Sequence, residues 1–286
     1  MEIPLHESQL QFIRGLASHR IPFFDEVFRF LNYFDSIHFF LFLIPILWIG
    51  FSYRWGLRVF YLLALSMLVN GLLKVWIDWP RPSTDCPEIG MFHFKSGGMP
   101  SGAAQTAMLL GALLIHTFRT RAAWVVGLCY IAVMSFSRLY LAVHYPVDIL
   151  GGWIIGGSLL YLYIRFIHPI ERYLSTQTQL SRFALAVIPP VVILWITNGI
   201  GVGWLMESAV GVAIGALISF HYRLYLPDAK TLGEATLRSS FAISVVVIAL
   251  AACPKTHLGL CNFILSLWTS LIASPLYGRF MKEKNK

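Results

Sequence analysis

The sequence contains few charged residues. Aspartate, glutamate, lysine and arginine make up 13% of its 286 residues, whereas 57% are hydrophobic, and soluble domains carry about 25% charged residues. This deficit excludes an ordinary soluble domain and predicts a polytopic membrane protein. The cysteines, Cys86, Cys129, Cys253 and Cys261, lack the Cys-x-x-Cys and Cys/His spacings of a metal site, so the sequence predicts no metal and no other cofactor. Cys253 and Cys261 flank one short loop and are expected to pair only if it faces an oxidising compartment.

The first 36 residues lack two further features. They contain no apolar run long enough to span a bilayer, and they lack the charged and apolar regions of a cleavable signal peptide, so the first span is expected to direct insertion. The stretches 10–13 and 23–34 are apolar and aromatic with interspersed charge, which favours short helices in the headgroup region. A soluble cap packed on the membrane domain fits these stretches equally well.

Nine apolar runs follow, and most approach the length of about 20 residues that a transmembrane helix needs. They cover residues 37–54, 56–78, 102–119, 121–139, 147–167, 183–198, 201–220, 236–253 and 257–277. The sequence therefore predicts an all-α, polytopic transmembrane bundle of about nine spans with short N-terminal interfacial helices. We divide it into these helices (1–36), a membrane core that carries the motifs below (37–168) and a C-terminal extension of about four helices (169–286).

Positive charge is unevenly distributed along the chain. The formal net charge is +8, and with nine spans most lysines and arginines fall on the side of the C-terminus. Because cytoplasmic loops carry an excess of lysine and arginine, we expect the C-terminus in the cytoplasm and the N-terminus outside it. The positive balance then reflects membrane topology, and no nucleic-acid partner is expected.

Three polar clusters lie at the ends of apolar runs, in residues 74–82, 99–103 and 137–148. With nine spans, all three fall on the non-cytoplasmic face, as one joint site requires. We expect a bacterial inner-membrane protein whose site faces the periplasm or exterior. In a eukaryote, the equivalent expectation is the endoplasmic-reticulum membrane with a lumenal site.

The clusters together contain the groups that bind an anion. Guanidinium groups match phosphate oxygens in pairs and lysine adds a point charge; the cations here are Lys74, Arg81 and Arg138. Ser101 and Gly102 precede an apolar run, so their helix N-terminus offers free N–H groups and the positive end of its dipole. These features predict a phosphate-binding pocket.

His144 and Asp148 add a nucleophile to the pocket. A carboxylate four residues after a histidine can hold one imidazole nitrogen and leave the other free to attack phosphorus. Pro146 is expected to interrupt the helix between them. Phosphoryl transfer mainly needs positioning and charge stabilisation, and these side chains offer both.

These residues resemble the motifs of the type-2 phosphatidic-acid phosphatase family, which includes lipid phosphate phosphatases, glucose-6-phosphatase and the vanadium haloperoxidases. The resemblance lies in Lys-x6-Arg-Pro, Pro-Ser-Gly and Ser-Arg-x5-His-x3-Asp, within about residues 60–165. It implies that His144 is the nucleophile that forms a phosphohistidine and that Asp148 orients it. It also implies that the phosphoryl oxygens are bound by Lys74, Arg81, Ser101, Gly102 and Arg138.

Position 103 departs from the family pattern. The family's second motif continues as Pro-Ser-Gly-His, and the resemblance implies that this histidine protonates the leaving oxygen, whereas this chain has Ala103. Since a positioned acid contributes about 10²–10⁴-fold, we expect phosphate binding with poor turnover. Three interpretations stay open: a deliberate replacement that traps a substrate, a natural pseudoenzyme, or an acid from elsewhere. For the last, His93 on the same loop is the nearest substitute by sequence.

The leading prediction is a metal-independent phosphoric monoester hydrolase that takes a lipid phosphate from the bilayer. Phosphatidate, phosphatidylglycerophosphate, a polyprenyl diphosphate and a sphingoid phosphate all fit. A sugar-phosphate phosphatase similar to glucose-6-phosphatase is the alternative substrate class. A non-catalytic phospholipid binder or transporter is the alternative from another class of protein.

Two further polar residues lie within apolar runs and are accessory candidates. Asn70 lies one turn before Lys74 and is expected to hold it. Glu207 lies near the outer side of a later run, where an ionisable residue is a functional candidate; it is expected to pair with a motif cation or to contact a headgroup. The sequence does not predict the oligomeric state.

Overall fold

The computed structural model describes residues 4–196, 203–252 and 258–284, and their regular secondary structure is entirely helical. The α-helices are α1 (Pro4–Ser18), α2 (Pro22–Leu31), α3 (Ile37–Pro45), α4 (Tyr53–Ile77), α5 (Pro82–Asp85), α6 (Gly102–Phe118), α7 (Arg121–Tyr140), α8 (Pro146–Thr176), α9 (Gln179–Ile196), α10 (Gly203–Tyr222), α11 (Leu232–Ala252), α12 (Leu258–Leu267) and α13 (Ala273–Lys284). Short 3₁₀ turns cover Asn32–Asp35 and Pro87–Ile89, and π-helical segments cover Ile46–Phe51 and Trp268–Ile272.

Seven helical segments in the described part of the chain are long and apolar enough to cross a membrane. An eighth candidate is the pair Pro22–Asp35 and Ile37–Phe51, which is bent by 59°, and α6 is apolar but only 17 residues long. The prediction of an all-α, polytopic bundle is therefore confirmed, and the chain is an integral, multi-pass membrane protein. The count of nine spans stays a prediction.

The described residues up to Ser36, together with Ser66–Ile167, form one compact unit. Within it, α6 and α7 approach each other closely at two glycines. A Cβ atom on Gly111 would lie 2.8 Å from the carbonyl oxygen of Gly127, and one on Gly127 would lie 2.7 Å from that of Gly111. Small residues allow such close backbone contact between membrane helices. This contact sets the spacing of the two helices that carry the second and third motifs.

The N-terminal helices belong to the same unit and pack against α7. Ile13 of α1 is completely buried, in a cluster with Ala142 and Tyr145. In contrast, Phe23 and Phe30 of α2 are 70% and 61% exposed. The short helices expected before residue 37 are therefore present, with one face on the motif helices and aromatic side chains on the outside.

Ile37–Leu65 and the described residues from His168 onward form a second compact unit. Its core includes Trp48, Tyr53, Val212 and Ala242. Glu207 is a partly buried residue of α10 in this unit, so its predicted pairing with a motif cation stays a prediction. Cys253 lies outside the described residues, and so does its predicted pairing with Cys261.

Candidate active site

His144 lies in the short connection between α7 and α8. After α7 ends, Ala142 adopts a left-handed conformation with a φ of 53°, and Pro146 begins the next helix. The His144 ring is buried, and its Nδ1 lies 3.2 Å from Oδ2 of Asp148 in the first turn of α8. The backbone N–H of Tyr145 donates to the same oxygen at 2.9 Å. Asp148 therefore holds the imidazole by Nδ1 and leaves Nε2 for other contacts.

Arg81 occupies the other side of the imidazole. Its Nη1 lies 3.1 Å from Nε2 of His144 and also donates to the carbonyl of Val143 at 2.9 Å. The guanidinium further donates to the carbonyls of Ser96 (2.8 Å) and Gly97 (2.9 Å). Because an arginine N–H can only donate, Nε2 of His144 accepts and the ring proton belongs on Nδ1, facing Asp148. This tautomer is the one a nucleophilic Nε2 requires.

Lys74, in the last turn of α4, also contacts the loop that carries Ser96 and Gly97. Its Nζ donates to the carbonyl of Gly97 at 2.9 Å, next to the contact from Arg81. A Cβ atom on Gly98 would lie 3.1 Å from Oδ2 of Asp148 and 3.0 Å from the carbonyl oxygen of Pro80, so the absence of a side chain allows the loop to lie against the carboxylate. The first motif thus encloses the imidazole of the third.

Arg138 lies in the last turn of α7 and is 2% exposed. Its Nε donates to Oγ of Ser137 at 3.1 Å, and its Nη1 donates to Oδ1 of Asn32 at 2.6 Å. Asp35 lies 3.8 Å from the same Nη1. Nη2 is buried without a hydrogen-bond partner among the described residues. Because buried guanidinium nitrogens are usually satisfied, Nη2 is available to an oxygen of a bound ligand.

Ser101 and Gly102 bring the start of α6 to this pocket. Ser101 is fully buried; its Oγ accepts from the backbone N–H of Ala104 at 3.5 Å, and its own N–H donates to the carbonyl of Asp148 at 2.9 Å. A Cβ atom on Gly152 would lie 2.6 Å from the carbonyl oxygen of Ser101, so α8 can approach closely. Ala103, in the first turn of α6, is 2% exposed.

Burial and the nearby positive charges both lower the proton affinity of His144. Burial is the main cause and lowers the pKa of the imidazole well below its usual 6.5; the nearby charges of Arg81, Lys74 and Arg138 lower it further. Burial penalises the charged ring and like charges repel its proton. The resting imidazole is therefore neutral near pH 7, the form in which it can act as a nucleophile.

We expect His144 to remain neutral at pH values well below 6.5, and the free energy of unfolding should therefore depend on pH. Its folded-state pKa is lower than the unfolded value of about 6.5, so at acidic pH the unfolded chain binds more protons. The free energy of unfolding should fall as the pH decreases from about 6.5 toward the folded pKa. Nitrogen NMR of labelled imidazoles in detergent measures the titration, and denaturant unfolding measures the slope.

The control for this titration is His144→Asn, which should remove part of the pH dependence of unfolding. A His144 ring that gains its proton near pH 6.5 would contradict the burial argument.

The structure places the accessory candidates Asn70 and His93 in different surroundings. Asn70 donates to the carbonyl of Pro100 at 3.2 Å and to Oε1 of Gln105 at 2.9 Å, because its side chain faces α6. Lys74 donates to the carbonyls of Gly97 and Gly98, so the predicted support of Lys74 by Asn70 stays a prediction. His93 is exposed on the loop between α5 and α6, and its predicted role as a substitute acid also stays a prediction.

The sequence did not predict two residues that lie beside Arg138 in the pocket, Asn32 and Asp35. Both lie in the 3₁₀ turn after α2, more than 100 residues before Arg138 in the chain. Their signal is a polar pair three residues apart in a mainly aromatic segment, Phe-Leu-Asn-Tyr-Phe-Asp. That spacing alone does not indicate a partner.

The α1 helix covers the back of the His144 loop. Oε1 of Gln9 accepts from the backbone N–H of Val147 at 2.9 Å. The His6 ring packs edge-on against Tyr145, with 4.3 Å between centroids, and Tyr145 donates to Asp85 at 2.6 Å. The N-terminal segment therefore helps to fix the loop that carries the imidazole.

Comparison with known proteins finds a matching family and several relatives. Residues 55–172 match the model of the PAP2 superfamily. The chain is 29% identical over 163 residues to phosphatidylglycerophosphatase B of Bacillus subtilis, covering 54% of this chain and 80% of that protein. It is 27% identical over 141 residues to lipid A 4'-phosphatase of Bacteroides thetaiotaomicron, covering 44% and 63%. It is 25% identical over 182 residues to a dihydrosphingosine 1-phosphate phosphatase of Saccharomyces cerevisiae, covering 58% and 45%.

The fold is also similar to a solved structure. A crystal structure of a transmembrane PAP2-type phosphatidylglycerolphosphate phosphatase from Bacillus subtilis superposes with a TM-score of 0.52 at 24% identity, covering 60% of this chain and 90% of that one. The resemblance predicted from the three motifs is thus confirmed: residues 55–172 match the PAP2 superfamily, and the relatives are named as phosphatases of lipid phosphates. The chain spans most of the first relative but less than two thirds of the other two.

Proposed function

We propose that this protein is a lipid phosphate phosphatase that works through a phosphohistidine on His144. The observation that carries the proposal is the buried, neutral imidazole, held by Asp148 at Nδ1 and contacted by Arg81 at Nε2. The unpartnered Nη2 of Arg138 supports it, because a phosphoryl oxygen would satisfy that donor. Side-chain cations supply the positive charge in this proposal, so the reaction needs no metal.

The proposed reaction has two steps. First, Nε2 of His144 attacks phosphorus; the P–N bond forms while the bond to the leaving oxygen breaks, and Asp148 stabilises the positive ring through Nδ1–H. Lys74, Arg81, Arg138 and the N-terminus of α6 stabilise the charge on the three equatorial oxygens. Second, water attacks phosphorus, the P–N bond breaks, and the neutral imidazole returns. Ala103 cannot protonate the leaving oxygen, so turnover is slow unless another side chain supplies that proton.

The surface of α2 supports a substrate that stays in the bilayer. The exposed aromatic residues Phe23 and Phe30 lie on the helix that leads directly into Asn32, the partner of Arg138. A helix with exposed aromatic residues and interspersed charge is typical of the membrane interface. Its position beside the pocket fits a phosphate headgroup whose tail remains in the membrane.

The substrate class is tested by measuring phosphate release in mixed micelles. Phosphatidate, phosphatidylglycerophosphate, sphingosine phosphate and a polyprenyl diphosphate should be compared with glucose 6-phosphate, for both the wild type and Ala103→His. Release from lipid phosphates alone supports the proposal. Release only from the sugar phosphate favours the sugar phosphatase, and tight lipid binding without release by either variant favours the non-catalytic binder that Ala103 suggests.

We expect Phe23→Ser combined with Phe30→Ser to impair the use of long-chain substrate. Loss of two inserted aromatic side chains weakens interfacial binding, so the KM for long-chain phosphatidate in vesicles should rise by about fivefold or more. The KM for a short-chain, micelle-free phosphatidate should be nearly unchanged. Phe118→Ser provides the matched control, because Phe118 is 62% exposed at the far end of α6. An equal rise for both substrates would argue against an interfacial role.

A further inference from the structure

Asp35 is a second carboxylate, besides Asp148, that lies close to the cations of the pocket. Its Oδ2 lies 3.8 Å from Nη1 of Arg138, its side chain is 31% exposed, and the charges of Lys74 and Arg81 also act on it. The same three cations act on the imidazole of His144. The same three cations therefore act on the carboxylate of Asp35 and on the imidazole of His144, although these two side chains belong to different elements of the fold.

At Nη1, Arg138 has a closer hydrogen-bond acceptor than Asp35. Asn32 already accepts from that nitrogen at 2.6 Å, whereas the Asp35 oxygen lies at 3.8 Å, near the limit of an ion pair. The 3₁₀ turn that carries both residues packs against α6, the helix whose first turn contains Ala103. Asp35 thus lies on an element that contacts the helix from which the family's acid would come.

Substrate binding would change the charge balance at Asp35. A phosphate dianion among Lys74, Arg81 and Arg138 brings negative charge next to the carboxylate, and like charges favour the protonated acid. A protonated Asp35 is an O–H donor beside the phosphoryl group. The substrate would in this way bring the acid into the form that can donate a proton.

We infer that Asp35 is the proton donor to the leaving oxygen, in place of the histidine that Ala103 replaces; this rests on the proposed function of His144. As the His144 Nε2–P bond forms and the P–O bond breaks, the proton of Asp35 moves to the leaving alcohol and Asp35 becomes a carboxylate. In the second step this carboxylate takes a proton from the attacking water while the P–N bond breaks. Asp35 is then protonated again, phosphate is released and His144 is neutral.

The test compares two leaving groups in the full-length protein. An alkoxide leaves poorly without a proton, whereas para-nitrophenolate leaves readily without one. Asp35→Asn should lower kcat for a short-chain phosphatidate by about 10²–10⁴-fold and kcat for para-nitrophenyl phosphate by less than about tenfold. In an Ala103→His background, Asp35→Asn should cost the phosphatidate reaction less than about tenfold, because the histidine then provides the proton.

Asn32→Ala is the matched control, since it removes the other oxygen that faces Nη1 of Arg138. It should affect both substrates equally and mainly raise KM. If Asp35→Asn also slows both substrates equally, or slows neither, Asp35 is not the acid. If the wild type is inactive but Ala103→His is active, the Asp35 inference fails while the proposed function stands. If both are inactive on every phosphate ester, the proposed function itself fails.

Discussion

Replacing His144 with asparagine is expected to reduce phosphate release by at least about 10⁴-fold, because it removes the proposed nucleophile. Asparagine keeps a polar amide of moderate size near Asp148, but its amide nitrogen has no lone pair that can attack phosphorus. The measurement is made in whichever of the wild type and Ala103→His has the higher starting rate, because that background gives the wider range. The readouts are the initial rate of phosphate release and the yield of phosphoenzyme after rapid quenching of labelled substrate.

The control for this prediction is His116→Asn. His116 lies 14 residues after Gly102 on α6, about 20 Å along the helix axis, and its replacement should leave the rate within about twofold of the parent, as expected for a surface substitution. Phosphoenzyme that is labile to acid should form in the parent and in His116→Asn but not in His144→Asn. Substantial turnover by His144→Asn, with the label on another residue, would contradict the proposed nucleophile.

In an Asp35→Asn background, replacing Ala103 with histidine is expected to raise kcat for a lipid phosphate by about 10²–10⁴-fold, since it supplies an acid at the position where the family has one and the substituted asparagine cannot donate that proton. The measurement is a steady-state rate on phosphatidate over a range of pH, with KM determined separately. The increase should lie in kcat, because the proton is needed when the P–O bond breaks and not when the substrate binds.

Two controls make the Ala103 result interpretable. Ala103→Asn adds a polar side chain that cannot act as an acid near neutral pH, so it should not raise the rate. Ala103 is 2% exposed, and overpacking costs about 1–3 kcal/mol, so thermal stability must be measured for both variants. A folded Ala103→His protein that turns over no faster than an active wild type would show that the proton already comes from elsewhere.

The sequence predicts helices better than it predicts their ends. The run 121–139 corresponds to α7 (Arg121–Tyr140), because apolar length and the flanking charges coincide with the helix. The run 147–167 ends nine residues before the end of α8, which continues through Pro169 to Thr176. Hydropathy indicates the segment that can be buried in lipid, whereas a helix can continue past it into polar surroundings.

The contacts of the candidate site could be predicted where they are local. Asp148 lies four positions after His144, and the bend before α8 together with the first turn of α8 brings their side chains together. Arg138 contacts Asn32 across 106 residues, and no motif spacing encodes that contact. The spacing of Asn70 from Lys74 is helical, but tertiary packing turns its amide toward Pro100 and Gln105.

The contact between Arg81 and His144 has a consequence for the resting protein. The guanidinium N–H engages the lone pair of Nε2, so this nitrogen is not free to react with a neutral electrophile. In the proposed mechanism, a phosphate that binds would compete for the same guanidinium and draw it toward its own oxygens. The imidazole would then become reactive only after a charged substrate has bound, and the unliganded protein would be protected from modification at His144.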